Sequence, residues 1–208
     1  ENKYKLLFNY SNNQDINWLA IREILVCHYT YNIPLPSHIN LEDIHELNDF
    51  CAWMLHTLYK DHIFNSLAIG YFFQEIIQDI ERSRNNESDY KLFLYSGHDS
   101  TIISVLSALQ INDEKWPLYA SRILIELVRD TKTNIELIRL LYNNRPMSLP
   151  LCTHPHHTEE FWYSANSFFH LLKSFIPVHL QEECSYKSED SDAVGIKTQP
   201  VTIAEEWL

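Results

Sequence analysis

Apolar residues along this 208-residue chain recur with two different periods, one helical and one alternating. Residues 1–15 are polar and Asn-rich and read as a surface lead-in. Trp18, Leu19, Ile24, Leu25 and Tyr29 then fall on one helical face over residues 16–28. Pro34 and Pro36 make residues 30–40 a loop, because proline fixes φ and removes an amide donor. Asn40 caps a helix with Asp43 in its first turn, and Leu47, Phe50, Cys51, Met54, Leu55 and Leu58 form its apolar stripe. A second long helix covers residues 64–84, with Leu67, Tyr71, Ile76, Ile77 and Ile80 as core positions.

The pattern then changes within one stretch, residues 91–109, KLFLYSGHDSTIISVLSAL. Leu92, Phe93, Leu94 and Tyr95 read as a buried strand, Ser96-Gly97 as a tight turn, and Ile102, Ile103, Val105, Leu106 and Leu109 as the inner face of a helix. Residues 110–121, with Trp116-Pro117, form a loop. Residues 122–129 and 135–142 follow as two strands joined by the polar link 130–134, which makes a β-hairpin. Asn143 and Asn144 suit a left-handed turn. Thr158 caps a last helix with Glu159 and Glu160 in its first turn; Phe161, Ala165, Phe168, Phe169 and Leu172 face its core, and Pro177 ends it. Residues 185–208 are polar and acidic and read as a flexible tail. The sum is an α/β chain without internal repeats.

The turn between strand and helix carries His98 and Asp99. Open α/β sheets bind ligands at the carboxyl ends of their strands, and an imidazole beside a carboxylate there can hold a small anion. Capping competes with this reading: Asp99 or Ser100 is also a good helix N-cap.

Composition narrows the field. A net charge of −12 argues against phosphate-backbone binding, and 3 Gly leave no glycine-rich phosphate loop. No apolar run reaches the length of a membrane span. The 4 cysteines, Cys27, Cys51, Cys152 and Cys184, allow two disulfides in three connectivities. Sequons stand at Asn9 and Asn86.

Other polar clusters have plainer readings. His45-Glu46 begins like a zinc-protease helix, but Asp49 stands where the second His is needed. His28 and His38 flank the proline loop and either line a cleft or face solvent. Glu126 reads as a partner for Arg139 across the hairpin. Cys152, His154, His156 and His157 raise a metal question that Pro155 and the adjacent His pair make awkward, so no metal is assigned.

The stretch LYSGHDSTIISVLSAL resembles the second signature of the histidine acid phosphatases. The similarity runs on through INDEKWPLYASRILIELVRD to IRLLYNN and reaches back to CHYTYNIPLP, within residues 25–184. The look is nearest to the 2-phosphoxylose phosphatase and lysophosphatidic acid phosphatase branch. The family's first signature, R-H-G-x-R-x-P, with its nucleophilic His and phosphate-gripping Arg residues, does not occur in these 208 residues. The chain is therefore expected to be the carboxyl-terminal part of a longer protein.

The resemblance implies a phosphoglycerate-mutase-like histidine phosphatase fold, incomplete here. Residues 1–184 would form the carboxyl-terminal part of the domain, with a helical insertion at 30–65. It implies phosphomonoester hydrolysis through a phosphohistidine, with Asp99 as general acid and His98 as a phosphate-binding residue. No cofactor is implied. Cys152 and Cys184 are the disulfide pair it suggests. The substrate would be a phosphorylated sugar or lipid and not a nucleic acid, with 2-phosphoxylose in the glycosaminoglycan–protein linkage region favoured. The place would be the Golgi lumen, against secreted, lysosomal or mitochondrial alternatives; a membrane anchor would lie upstream. Arg22, Arg122, Arg129, Arg139 and Arg145 lack the context to replace the missing arginines, so the chain alone is expected to be inactive. Competing readings are a lysophosphatidic acid phosphatase, a general acid phosphatase, and a phosphatase-like binding domain without catalysis.

Overall fold

Helices come first in the chain and strands are confined to its second half. The order is α1 (Asn2–Leu7), α2 (Trp18–Thr30), α3 (Leu41–Tyr59), α4 (His62–Arg84), α5 (Asp99–Ala108), β1 (Ile123–Arg129), β2 (Glu136–Tyr142), β3 (Arg145–Pro146), β4 (Tyr163–Ser164) and α6 (Ala165–Lys173). The structure is a computed structural model that describes residues 2–8, 10–11, 13–111, 114–152 and 160–178. All these elements belong to one unit, Glu1–Pro177; a second unit begins at Val178. The tail at 185–208, Cys184, Thr158 and the three histidines at 154, 156 and 157 lie outside the described residues.

Local chemistry sets the helix starts. Asn40 Oδ1 accepts from Asp43 N at 3.0 Å, and Asp43 Oδ2 accepts from Asn40 N at 2.8 Å, the reciprocal capping box expected there. Asp61 caps α4 through Phe64 N at 2.8 Å, so that helix starts two residues ahead of the expected boundary. The lead-in holds the short helix α1, which the polar composition hid; Tyr4 and Phe8 pack inward from it.

Two apolar clusters result. One gathers Phe73, Ile76, Ile77, Val105, Ile138, Leu140, Phe168 and Leu172 from α4, α5, β2 and α6. The other gathers Ile21, Leu25, Ile44, Leu47 and Cys51 from α2 and α3, with Trp116 packed at its margin. Ile103 and Leu106 of α5 are 0% and 2% exposed, and each such side chain stabilises by about 1.5–3 kcal/mol. Tyr71, Phe50 and Leu58, expected in the core, face solvent instead, because α3 and α4 bury narrower stripes than their apolar content suggests.

The hairpin forms as expected. β1 pairs antiparallel with β2 in a register that sets Glu126 opposite Arg139 and Arg129 opposite Glu136. β3 and β4 also pair antiparallel with β2. Asn143 and Asn144 take φ 48° and 67°, the left-handed turn expected of them.

Two expectations need correction. Residues 92–95 are not a buried strand: they run without helix or strand pairing, and Leu92 and Leu94 are 73% and 89% exposed. A strand buried on both faces needs neighbours at its edges, and the pairing of β1, β3 and β4 is all with β2. The last helix starts at Ala165, with Ser164 at its N-cap, and not near residue 158. Tyr163 and Ser164 are used as β4, and Phe161, with φ 53°, breaks any helix before them.

Candidate active site

The His-Asp turn sits where α5 begins. Space at Gly97 is tight: a Cβ there would meet three side-chain atoms of Thr101 at 3.2–3.3 Å, so the Thr101 side chain would have to give way. His98, with φ −107° and ψ 170°, occupies the N-cap position, and its backbone N–H donates to Thr101 Oγ1 at 3.3 Å. Asp99 is thus the first helical residue, not the cap. Its Oδ1 accepts from Ser100 N at 2.7 Å, which leaves Oδ2 to face outward.

That second oxygen has a partner 17 residues on. Trp116 Nε1 donates to Asp99 Oδ2 at 2.9 Å. The other side of the indole is covered by Arg22, whose guanidinium carbon lies 3.6 Å from the ring centroid. Arg22 is 5% exposed; its Nε donates to Asn48 Oδ1 at 3.0 Å, and it pairs with the half-exposed Glu23. Arginine stacks in this way because its charge is spread over a flat, weakly hydrated group.

The helix and the loop are fixed from behind. Asn65 Nδ2 donates to Ser104 O at 3.2 Å, and Ser104 Oγ returns a bond to Asn65 Oδ1. His56, 1% exposed, reaches Lys115 O with Nε2 at 3.1 Å and Ser107 Oγ with Nδ1 at 3.4 Å. A carbonyl only accepts, so Nε2 carries the hydrogen. One buried ring therefore ties α3 to α5 and to the loop that carries Trp116. Burial, then the nearby charge of Asp99, pushes the Tyr59 phenol pKa up.

The His-Asp turn opens on a cavity of about 820 Å³. Gly97, His98, Asp99, Trp116, Arg22 and Asn48 line it, with Leu118 and Tyr119 at an exposed rim. The amino end of α5 points its partial positive charge toward this space, which favours an anion there.

Other sequence candidates fall elsewhere. His45, Glu46 and Asp49 are exposed on α3. His28 Nδ1 donates to Pro34 O at 3.1 Å and closes the proline loop, and His38 is exposed. Glu126 accepts two bonds from Arg139, at 2.8 and 2.6 Å, as a cross-strand pair. Cys27, Cys51 and Cys152 are free thiols, and among the described residues no group of His, Cys, Asp or Glu is arranged to hold a metal. Of the five arginines set aside from the sequence, Arg22 alone lines the cavity with Asp99. Its place on the apolar stripe, four residues after Trp18, was the available signal. His56 and the Trp116 contact had none, since both depend on tertiary packing.

Residues 26–143, more than half the chain, match the family model of the histidine phosphatase superfamily (branch 2). The chain belongs to this family. Rat prostatic acid phosphatase is 26% identical over 176 residues, 80% of this chain and 44% of that protein. Lysosomal acid phosphatase of Xenopus laevis is 27% identical over 179 residues, 81% of this chain and 40% of that protein. Counting factor 60 of Dictyostelium discoideum is 22% identical over 168 residues. The chain spans about two fifths of the length of the curated relatives it matches. In this histidine phosphatase chain the matched interval contains His98, Asp99 and Trp116, while Arg22 lies four residues ahead of it. Its helices and antiparallel strands form the mixed α/β arrangement of the family.

Proposed function

We propose that this chain supplies the acid side of a phosphomonoesterase that works through a phosphohistidine. The observation that carries this reading is the pair His98–Asp99 at the amino end of α5, on the wall of a cavity, with both Asp99 oxygens held by N–H donors. A phosphate monoester dianion repels nucleophiles, and its alkoxide is a poor leaving group. An imidazole nitrogen attacks phosphorus as the P–O ester bond breaks. Asp99 gives its carboxyl proton to the departing oxygen and is left as carboxylate. Water then attacks phosphorus, its proton passing to the Asp99 carboxylate, and the P–N bond breaks to release phosphate and the imidazole. His98 hydrogen-bonds the phosphoryl oxygens, and the α5 amino end adds favourable potential. The nucleophilic His and its arginines are contributed from outside these 208 residues, where R-H-G-x-R-x-P does not occur. This chemistry uses no metal or organic cofactor.

The substrate favoured is a sugar phosphate of the 2-phosphoxylose kind in the glycosaminoglycan–protein linkage region, handled in the Golgi lumen. Support comes from the resemblance of CHYTYNIPLP and ILIELVRD to that branch. The helical region at 30–65 takes part in the acceptor side, since α3 contributes Asn48 and Leu55 to the cavity.

The test is phosphate release from sugar phosphates, lysophosphatidate and an aryl phosphate. The chain alone is expected to be inactive. The protein expressed from its complete reading frame is expected to be active, with Asp99→Ala losing about 10²–10⁴-fold on the alkyl esters. Release by the chain alone that Asp99→Ala abolishes would overturn the assignment of the nucleophile outside it.

A further inference from the structure

Asp99 is held from outside its own helix by Trp116. The contact comes from an indole N–H, a donor with no acceptor function and no charge in the working pH range. The indole cannot take part in proton transfer, so it acts on Asp99 through this one hydrogen bond. We propose that Trp116, backed by the Arg22 guanidinium, is the positioning residue that aims the Asp99 carboxyl at the leaving-group oxygen. The inference rests on the phosphatase reading above.

The geometry argues for orientation. Ser100 N fixes Oδ1 within the helix turn, which alone leaves the carboxyl free to rotate about its remaining bonds. The Trp116 bond to Oδ2, at 2.9 Å, removes that freedom by setting the carboxyl plane. The indole itself cannot drift, because Arg22 lies 3.6 Å from the ring centroid and is 5% exposed. Arg22 is in turn bound to Asn48 of α3. On the opposite side the backbone of Lys115 is held by His56. Each carboxyl oxygen keeps a second lone pair, so a proton can still sit on Asp99 and leave toward a substrate in the cavity.

General-acid catalysis gives this proposal its own readout. A poor alkoxide leaving group needs the proton, whereas a nitrophenolate leaves without it. Loss of aim in Asp99 therefore slows alkyl phosphates and spares an activated aryl phosphate. A structural defect slows both.

The experiment uses the protein expressed from its complete reading frame, with Trp116→Phe, which keeps an aromatic face for Arg22 and removes the N–H together with part of the indole. For an alkyl phosphate such as a pentose phosphate, kcat is expected to fall about tenfold or more with little change in KM, in line with loss of one hydrogen bond to a charged group. For p-nitrophenyl phosphate kcat is expected to stay within about twofold, which also certifies the fold. An equal fall on both substrates, or a change in KM alone, overturns the proposal. If Trp116→Phe does not fold, Arg22→Gln removes the plate behind the indole and must give the same split. A wild-type protein that hydrolyses neither ester overturns the phosphatase reading itself, and the positioning role with it.

Discussion

The Tyr95 hydroxyl donates to the carboxylate of Asp79 across 2.5 Å. This bond fastens the segment just before the His-Asp turn to the carboxyl-terminal part of α4, where Asp79 is 7% exposed and also bound by Arg82. Phe72 adds an edge contact to the Tyr95 ring. Tyr95→Phe keeps the ring and leaves the buried carboxylate short of one donor, so it is expected to destabilise the chain by about 1–3 kcal/mol. Burial, then the bond to Asp79 and the charge of Asp79, raises the Tyr95 pKa above its ordinary 10.0. A raised pKa means stabilisation that is complete below pH 10 and lost as alkali takes the proton. Chemical denaturation at pH 8 and above pH 10 checks both: the gap between wild type and Tyr95→Phe is expected to narrow in alkali.

Glu136 shows the opposite sign. Burial opposes its charge, yet Arg129, bonded at 2.8 Å, and Arg84, paired at 2.5 Å, overcome that and hold the carboxyl pKa below its ordinary 4.5. The Arg84 contact is a close ion pair of poor hydrogen-bond geometry, since Oε2 gains no well-directed donor. A depressed pKa gives stability that is present above 4.5 and lost as pH falls through the lowered value. Glu136→Gln is therefore expected to cost about 1–2 kcal/mol at neutral pH. In acid, below pH 4.5, its melting temperature should approach that of the wild type.

Gly70 lies in α4, where alanine would ordinarily gain about 1 kcal/mol of helix propensity. Here a Cβ would stand 2.3 Å from Phe175 O and 2.5 Å from Pro177 Cδ. The first of these is backbone and cannot swing away, and overpacking costs about 1–3 kcal/mol. The clash outweighs the propensity. Gly70→Ala is expected to lower the melting temperature, by about 2–4 °C per kcal/mol for a chain of this size. An unchanged or higher value in a thermal melt would mean that the segment after α6 moves aside freely.

The elements that could be read from sequence are those whose signals are local. Ile76, Ile77, Ile103 and Leu106 marked their helices because a helix carries its own hydrogen bonds and needs only one apolar stripe. The β1–β2 hairpin was legible because its turn chemistry at 130–134 lies between its strands. The His98–Asp99 dipeptide was legible for the same reason. Leu92 to Tyr95 misled, because a strand is defined by neighbours that its own residues do not name. Trp116 reaches Asp99 from a separate part of the chain, Arg22 stacks on its ring and His56 holds the backbone beside it, and only packing brings them together.

Asn86 offers a check on the secretory reading. It is exposed at the turn after α4 with φ 58°, and the sequon Asn86-Glu87-Ser88 is open to solvent on that turn. In a eukaryotic secretory host the chain is expected to carry a glycan there, lost in Asn86→Gln and trimmed by an N-glycosidase. A gel mobility that neither treatment changes would argue against modification at this residue.

The exposed stretch at 92–95 sets the behaviour of the chain in isolation. Leu92 and Leu94 are 73% and 89% exposed on an extended segment whose backbone, among the described residues, joins no strand. Such an edge is a template for pairing with a second copy, and charge at its apolar positions blocks that pairing. Leu92→Lys with Leu94→Lys is expected to leave thermal stability within about 0.5 kcal/mol, since neither side chain contributes to a core. It should also raise the concentration at which the isolated chain stays monomeric in sedimentation. In a protein where another strand covers this segment, the same lysines would be buried without partners and would lower the folded yield. Opposite effects of one double substitution in the two settings would identify residues 92–95 as a strand awaiting its neighbour. Equal aggregation of the isolated wild type and variant would place the adhesive surface elsewhere.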